Sequence, residues 1–357
     1  MWLASQGRGM HIFVSGAGPV GLSAAIALAA RGYQVTIADR EVGLTDQARA
    51  VGVNRNTLSL LTHCGAAARV LEEAQRVRSV RFLQGETLLT RLKVPGQDKR
   101  LPTLVALPQS ETERILAETL ARYAIDVLWQ HETTALTQSD AGVEATLTHV
   151  GTGETRAVSA DYAFGADGSH SAVRRLLDID FPGRQVGGTW SVADAECDFP
   201  WPEQACAVLS DVCEVAFMIT IGAGRYRLIA NHPDVLETAR RLMPVNRVIS
   251  DNAFHVDLRV AEVMGKGRVA LGGDAAHVHS PVGGRGMNLG IADAFAFAEA
   301  VEHGDMAHYR AERLAAAHRV VRWTDRAYRA LTATSSIGVF ARNSALRTVG
   351  FLSGLRT

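Results

Sequence analysis

The stretch HIFVSGAGPVGLSAAIALAARGYQVTIAD, residues 11–39, decides the fold. HIFVS (11–15) and YQVTIAD (33–39) are short apolar runs typical of buried strands. The segment between them, residues 16–32, predicts a tight turn followed by an apolar helix. A strand, a glycine turn, a helix and a second strand form a βαβ unit, whose two strands are parallel. The stretch therefore predicts an α/β fold with a parallel sheet.

Three glycines in this turn, called here the glycine loop, have the spacing G-x-G-x-x-G. Gly16 permits the tight turn, Gly18 lets the backbone approach a pyrophosphate, and Gly21 lets helix and strand pack closely. The positive end of the following helix faces the phosphates. Asp39 closes the second strand, where a carboxylate can bond a ribose hydroxyl, although a strand-end carboxylate exposed to water is more common. Together these residues predict that a dinucleotide, either NAD or FAD, is bound.

Length and charge exclude several classes of protein. The 357 residues are too many for one small core, so two domains or one large α/β unit are expected. Lysine plus arginine equals aspartate plus glutamate at 37 each, which gives no net attraction to nucleic acid or membranes. We find no signal peptide or membrane-spanning run, and the cysteines lack a C-x-x-C pair, so a cytoplasmic location is expected. Residues 1–9 are expected to be either a loose N-terminal extension or residues that precede a native start at Met10.

Two β-rich segments interrupt the α/β pattern. Alternating residues around Gly85 predict a β-hairpin within residues 78–106. A second β-rich segment covers residues 186–260, and its residues 186–231 carry short strands with aromatic side chains. Between these segments, residues 108–123 predict a helix with Ser110 as its N-cap. The predicted architecture is a Rossmann-like dinucleotide-binding domain with an inserted β-sheet substrate domain and a helical C-terminus. The predicted limits are 10–77, 107–185 and 261–300 for the first domain, 78–106 and 186–260 for the second, and 301–357 for the helical segment.

Two further apolar strands run into polar, glycine-containing loops. ADYAFGADG (160–168) ends in Asp167 and Gly168. A carboxylate there either binds a ligand hydroxyl, holds another loop, or caps the helix that follows. GGDAAHVHSPVGGRGMNLGIADA (272–294) places Asp274 at a strand end, before a glycine-rich loop and a helix. Bare backbone in such a loop lets a ligand lie against it.

His277 and His279 in this last stretch raise the question of a metal site. Two histidines are too few ligands, and no acidic or cysteine partner lies at a suggestive local spacing. We therefore expect these histidines to pack in the scaffold, with no metal bound.

Taken together, the three motifs resemble those of the group A FAD-dependent aromatic hydroxylases, the family that includes p-hydroxybenzoate hydroxylase. The resemblance covers most of the chain, and GDAAHVHSPVGGRGMNLGIADA is its most diagnostic part. Many members have glutamine where Arg285 stands, and a basic residue is also seen there. The resemblance implies FAD as cofactor, NADPH or NADH as transient reductant, and O2 as co-substrate. It further implies hydroxylation of an aromatic or polyketide-like small molecule through a flavin C4a-hydroperoxide.

Carried over residue by residue, the resemblance assigns contacts along the whole cofactor. They are Gly16, Gly18 and Gly21 at the pyrophosphate, Asp39 with Arg40 at the adenosine ribose, Arg49 and Gln109 beside the cofactor, Asp167 and Gly168 at FAD and nicotinamide, Asp274 at the ribityl chain, and Pro281, Gly284, Gly286, Met287 and Asn288 around the isoalloxazine ring. Residues 281–288 are called here the flavin loop. The helix starting near Met287 would point its positive end at the N1–C2=O edge, where reduction places negative charge.

The substrate pocket is expected between the flavin loop and the inserted sheet. Trp190, Phe217 and Met218 are candidate wall residues, and His255 and Tyr226 are candidate catalytic residues that assist phenol deprotonation. The alternative for each is plain core packing, since aromatic residues in strands usually pack. The flavin carries most of the chemistry, so the reaction needs no protein nucleophile.

Two other functions stay open at this point. One is an FAD-dependent dehydrogenase or other oxidoreductase on the same scaffold, and the other is a non-enzymatic flavin-binding sensor. A halogenase is disfavoured because the W-x-W-x-I-P signature is absent. The expected partners are an aromatic substrate and O2, without nucleic acid or membrane. The identity of the substrate, NADPH against NADH, and monomer against homodimer stay open.

Overall fold

The computed structural model describes residues 9–45, 50–96, 101–201, 204–210, 212–222 and 224–355. Within these ranges the helices are α1 (Pro19–Ala29), α2 (Arg55–Thr62), α3 (Ala66–Glu73), α4 (Gln109–Ala121), α5 (Ala172–Leu176), α6 (Val235–Leu242), α7 (Gly286–His303), α8 (Met306–Leu331) and α9 (Ser336–Leu355). The strands are β1 (His11–Ser15), β2 (Gln34–Ala38), β3 (Gly52–Asn54), β4 (Gln75–Arg76), β5 (Ser79–Gln84), β6 (Thr87–Lys93), β7 (Leu104–Ala106), β8 (Val127–Leu128), β9 (His131–Gln138), β10 (Val143–His149), β11 (Thr155–Ala160), β12 (Tyr162–Gly165), β13 (Gly183–Cys197), β14 (Gln204–Leu209), β15 (Val215–Gly222), β16 (Arg225–Ala230), β17 (Val245–Val260), β18 (Gly265–Lys266), β19 (Val269–Leu271) and β20 (His277–Val278).

A six-stranded sheet in the order β18-β19-β12-β1-β2-β8 contains the predicted βαβ unit. β1 pairs in parallel with both β2 and β12, and β12 pairs in parallel with β19. Phe13 of β1 and Leu22 and Ile26 of α1 are fully buried in one large core. Because parallel strands end at the same edge of a sheet, the loops after β1, β12 and β19 meet there. These are the three loops that carry the sequence motifs.

The second large sheet has eight strands in the order β20-β17-β13-β16-β15-β14-β5-β6. It joins the predicted hairpin β5–β6, which turns at Gly85 with a φ of +57°, to strands from the later β-rich segment. One face packs on α6 and the other on α8 and α9. β7 instead pairs with β3 and β4 in a three-stranded sheet, as β9, β10 and β11 do in another. The domain limits given above stay a prediction.

Helix α4 begins before Ser110, its predicted N-cap. Pro108, and not Ser110, is its N-cap, and the amide of Thr112 donates to the Pro108 carbonyl oxygen across 3.0 Å. Proline tolerates this position because its fixed φ suits the entry to a helix and it has no N–H group to satisfy. Gln109 thereby becomes the first helical residue, and its side chain points back toward Ala50.

All four cysteines are free thiols, and burial raises the pKa of Cys206 to about 12. In the part of the chain that the structure describes, no helix is long and apolar enough to cross a membrane.

Candidate functional site

The glycine loop is open at one position and tightly packed at the other two. A Cβ added at Gly18 would meet no atom of the described residues within 4 Å. At Gly16 it would lie 2.3 Å from the Ala166 carbonyl oxygen, and at Gly21 it would lie 1.8 Å from the Gly16 carbonyl oxygen. Gly16 also has a φ of +103°, which disfavours other residues. Packing therefore requires Gly16 and Gly21, whereas the space at Gly18 fits a phosphate group approached by the backbone.

The carboxylate that follows β2 lies at this loop. Asp39 Oδ2 accepts from the Ala17 amide across 2.6 Å, and its Oδ1 accepts from the Glu41 amide across 2.9 Å. Each carboxylate oxygen has a further lone pair for a ribose hydroxyl. Arg40 is exposed at the rim, where its guanidinium lies 3.8 Å from carboxylate oxygens of both Glu41 and Glu132. The structure thus brings Asp39 to the glycine loop and leaves Arg40 beside it at the surface.

Asp167 shares in the helix capping that was one of its predicted roles, although the N-cap of α5 is Ser171, whose hydroxyl oxygen accepts from the Arg174 amide. Its carboxylate accepts from the Ser171 hydroxyl and, across 3.1 Å, from the Val173 amide. Burial raises its pKa, and these hydrogen bonds oppose that effect without cancelling it. Gly168 follows with a φ of +79°, a left-handed conformation that suits glycine. Asp167 therefore holds the turn into α5 next to the glycine loop, and its contact with a cofactor stays a prediction.

After β19 the chain forms a short 3-10 turn, Gly273–Ala275, that carries Asp274. Asp274 is exposed, and its neighbour Gly273 packs on α1: an added Cβ would lie 2.8 Å from Val20 Cγ2. A Cβ at Gly290 of α7 would lie 2.5 Å from the same atom. The turn therefore crosses the N-terminus of α1 and presents Asp274 at the sheet edge where the glycine loop lies.

Asn288 ties the flavin loop to strand β3 and helix α2. Its Nδ2 donates to the carbonyl oxygens of Gly52 and Gly284, each across 2.8 Å. Its Oδ1 accepts from the Asn54 amide across 2.9 Å and from the Thr57 hydroxyl across 2.7 Å. Asn288 is buried, so these bonds satisfy an amide that water does not reach.

The remaining flavin-loop residues surround the start of α7. The Gly284 amide donates to the Pro281 carbonyl oxygen across 3.0 Å, and Gly284 has a φ of +57°. Gly286 is the first residue of α7, and the neighbouring Met287 is buried. The first amides of a helix have no partner within it, so this loop aims free N–H groups and the positive helix end outward.

Both histidines of the third motif bond to protein groups. His277 Nε2 lies 2.6 Å from Asp293 Oδ2, and His279 Nδ1 lies 2.9 Å from the Ser280 carbonyl oxygen. Burial lowers the pKa of His279 to about 4, so this side chain is neutral at physiological pH. Among the described residues, no group of three or more histidine, cysteine or acidic side chains is arranged to hold a metal ion.

Arg49 lies outside the described residues, but its neighbour Ala50 is held on several sides. The Gln109 amide donates to the Ala50 carbonyl oxygen across 2.9 Å, and the Ala50 amide donates to Gln109 Oε1 across 3.3 Å. Arg227 Nη1 reaches the same carbonyl from the eight-stranded sheet across 3.1 Å. Arg227 is buried and also binds Asp194 through Nε and Nη2, at 2.8 and 2.7 Å. Sequence reasoning missed this pair, which ties the eight-stranded sheet to the segment that precedes β3.

Two predicted wall residues lie on the sheet face that meets the flavin loop. Trp190 is fully buried, and its ring centroid is 5.6 Å from that of Tyr328 on α8. Val282 of the flavin loop belongs to the same apolar cluster, and Phe217 is half-buried against it. Trp190 and Phe217 therefore lie on the side of the eight-stranded sheet that faces the flavin loop.

The structure places Met218, Tyr226 and His255 away from the predicted pocket. Met218 and Tyr226 are buried in the cluster that packs on α6, on the opposite face of the sheet. Burial there raises the pKa of the Tyr226 hydroxyl, so even less of the phenolate form, which could accept a proton, is present at neutral pH. His255 is exposed, because its neighbour Phe254 on β17 takes the inward position against Trp190. Residues that alternate along a strand point to opposite faces.

We expect Tyr226→Phe and His255→Ala to leave substrate turnover by the protein unchanged. Neither side chain points toward the flavin loop, so neither can take a proton from a substrate there. Steady-state rates at several pH values measure this directly. A rate loss greater than about tenfold (about 1.4 kcal/mol of barrier) in Tyr226→Phe, without a change in its melting temperature, would restore the original assignment.

The chain matches known proteins over most of its length. A family model described as FAD binding domain matches residues 10–220 and 232–324. The chain is 29% identical over 313 residues to pentachlorophenol 4-monooxygenase of Sphingobium chlorophenolicum, with 81% of this chain and 57% of that protein covered. It is 30% identical over 333 residues to 6-methylpretetramide 4-monooxygenase of Streptomyces rimosus, with 87% and 58% covered. The chain thus spans less than two thirds of the length of these curated relatives.

A solved structure gives the same fold. The p-nitrophenol 4-monooxygenase PnpA of Pseudomonas putida DLL-E4 superposes with a TM-score of 0.86 at 24% identity, over 95% of this chain and 93% of that one. The predicted α/β architecture is confirmed, and FAD is the dinucleotide. The chain belongs to the family of FAD-binding domains, and its resemblance to the group A FAD-dependent aromatic hydroxylases is confirmed.

Proposed function

We propose that this protein is a flavoprotein monooxygenase that uses NADPH or NADH and O2 to hydroxylate an aromatic or polyketide-like small molecule. The observation that carries the proposal is the junction at Val282, where the flavin loop meets an aromatic sheet face. Trp190, Phe217 and Tyr328 belong to or pack on that junction. A flat ring held by the loop would therefore face apolar, aromatic surface, which suits an aromatic substrate. We also propose a cytoplasmic location.

When bound, FAD supplies hydride acceptance and oxygen activation. The chain's own residues would bind and orient it. We propose that they are Gly16, Gly18, Gly21, Asp39, Arg40, Arg49, Gln109, Asp167, Gly168, Asp274, Pro281, Gly284, Gly286, Met287 and Asn288. The positive end of α7 would stabilise negative charge on the ring edge, and the apolar sheet face would exclude water from the reacting atoms.

The wall assignment predicts a difference between two adjacent residues. Phe217 lies on the face toward the flavin loop, and Met218 lies on the α6 face. We expect Phe217→Leu to raise the KM for the aromatic substrate and to release more hydrogen peroxide per NAD(P)H consumed, because the substrate's ring loses its contact with the phenylalanine ring. The matched change Met218→Leu should leave both quantities as they are. Equal uncoupling in the two variants would contradict the assignment.

The proposed activity is tested by NADPH and NADH oxidation with a panel of phenols, followed by mass spectrometry of the products. Faster oxidation with a phenol, together with a hydroxylated product, would support the proposal. Bound flavin with an oxidised, oxygen-free product would favour a dehydrogenase. Bound flavin with no substrate-stimulated oxidation across the panel would favour a flavin-binding sensor.

A further inference from the structure

Asp293, in the middle of α7, is a fully buried carboxylate with donors on three sides. Its Oδ2 accepts from the Gly273 amide across 3.0 Å and from His277 Nε2 across 2.6 Å. Its Oδ1 accepts from Nε of Arg313, on α8, across 2.7 Å. One side chain thus joins the turn after β19, the strand β20 and a C-terminal helix.

The charge of Asp293 is supported by its surroundings. Burial alone would raise its pKa, but the nearby His277 and Arg313 and the Gly273 amide hold the pKa below its usual value. Arg313 is itself buried, and its pKa is raised by this carboxylate despite the opposing effect of burial. Removing one partner of such a buried ion pair strongly destabilises the folded protein, because the remaining buried charge is left uncompensated.

The bond to Gly273 bears on the cofactor, because Gly273 directly precedes Asp274. Gly273 has a φ of +58°, and Gly272 approaches so closely that an added Cβ would lie 3.1 Å from Asp293 Cβ. The turn that carries Asp274 is therefore held against α7 by one charge-assisted hydrogen bond and by close packing. Helix α8 also holds the end of β19, because the Tyr309 hydroxyl donates to the Leu271 carbonyl oxygen across 2.7 Å.

We propose that Asp293 is a positioning residue for the ribityl and isoalloxazine half of FAD, and that Arg313 extends this role to α8. Asp293 sets the direction of the Asp274 turn, and its hydrogen bonds go to Gly273, His277 and Arg313 and not to the three glycines that would take the pyrophosphate. The C-terminal helical segment is then part of the cofactor site's support. This inference rests on the assignment of Asp274 to the ribityl chain, and it does not depend on which reaction the flavin performs.

The test separates the two halves of the cofactor. Flavin-free protein is titrated with FAD and, separately, with ADP, for Asp293→Asn, Arg313→Lys and the control Asp325→Asn. Asparagine would turn an NH2 group toward at least one of the three donors, and lysine would keep the charge but lose the guanidinium geometry. Asp325 is also on α8 and binds Arg184 across 2.7 Å, remote from the turn.

We expect Asp293→Asn to weaken FAD binding by about tenfold or more while ADP binding changes by less than about twofold, where tenfold equals about 1.4 kcal/mol. Arg313→Lys should show a smaller loss of the same kind, and Asp325→Asn should show none. The visible circular dichroism of bound flavin should change in the first two variants only. Parallel losses for FAD and ADP, or unchanged FAD affinity in both Asp293→Asn and Arg313→Lys, would overturn the proposal. If Asp293→Asn fails to fold, the ratio of FAD to ADP affinity in Arg313→Lys decides.

Discussion

Gly18→Ala is expected to lower the affinity for FAD by about 100-fold, a loss of about 3 kcal/mol, while the flavin-free protein keeps its melting temperature. Gly18 has a φ of −72° and a ψ of −174°, which alanine adopts freely, and an added Cβ meets no atom within 4 Å among the residues that the structure describes. That space is the one a pyrophosphate would occupy, so the methyl group would displace the ligand and not the protein. Fluorescence titration with FAD and thermal unfolding without FAD measure the two effects.

Gly21→Ala provides the contrast, since its Cβ would lie 1.8 Å from the Gly16 carbonyl oxygen. Backbone would have to move, so we expect this variant to lower the melting temperature of the flavin-free protein. Gly43→Ala is a neutral control, because in the part of the chain that the structure describes no atom lies within 4 Å of an added Cβ, and Gly43 is outside the glycine loop. Normal FAD affinity in Gly18→Ala would contradict the placement of the pyrophosphate.

Asn288→Leu is expected to lower the free energy of unfolding by about 3–5 kcal/mol, because four buried hydrogen bonds are lost and their partners stay unpaired. Leucine has nearly the same size, so the loss would come from polar groups and not from a cavity. Urea unfolding of the flavin-free protein measures it. Because the flavin loop would also lose its tie to β3, flavin retention should fall in the same variant.

Thr57→Val tests whether the effect grows with the number of bonds removed. Valine matches threonine in shape and removes only the hydroxyl that donates to Asn288 Oδ1. We expect a loss of about 1 kcal/mol, the usual contribution of one hydrogen bond. If Asn288→Leu unfolded at the urea concentration of the unaltered protein, the network would have no structural role.

The core of the fold was predictable because its signals are local. β1, α1 and β2 are specified within residues 11–39, by apolar runs and a glycine turn. The meeting of the three motif loops follows from the rule that parallel strands end at one edge. The N-cap of α4 was misplaced by two residues, because serine is the more usual N-cap and was preferred over Pro108, which actually precedes the helix.

The faces of the eight-stranded sheet were not predictable in the same way. Both faces are covered, one by α6 and the other by α8 and α9, so apolar residues occur at consecutive positions. In β16, for example, Leu228 packs on the α6 face and Ile229 packs on the other. Without alternation between polar and apolar residues, nothing in the sequence tells which side chains face the cofactor.

Long-range polar pairs were missed for a related reason. Asp194 meets Arg227 only because β13 and β16 pair in that register, and Asp293 meets Arg313 only because α8 packs on α7. From the sequence alone, each of these four charged residues would be predicted to lie at the surface in contact with water. The structure shows instead that both pairs lie beside segments that carry predicted cofactor contacts.

The central claim is tested most directly by following the oxygen atom. The FAD-loaded protein is given labelled O2, NAD(P)H and the phenol that most accelerates NAD(P)H oxidation, and the product is analysed by mass spectrometry. We expect one labelled oxygen atom in each hydroxylated product molecule. Oxygen derived from water, or an oxidised product that contains no added oxygen, would contradict the account of this protein as a monooxygenase.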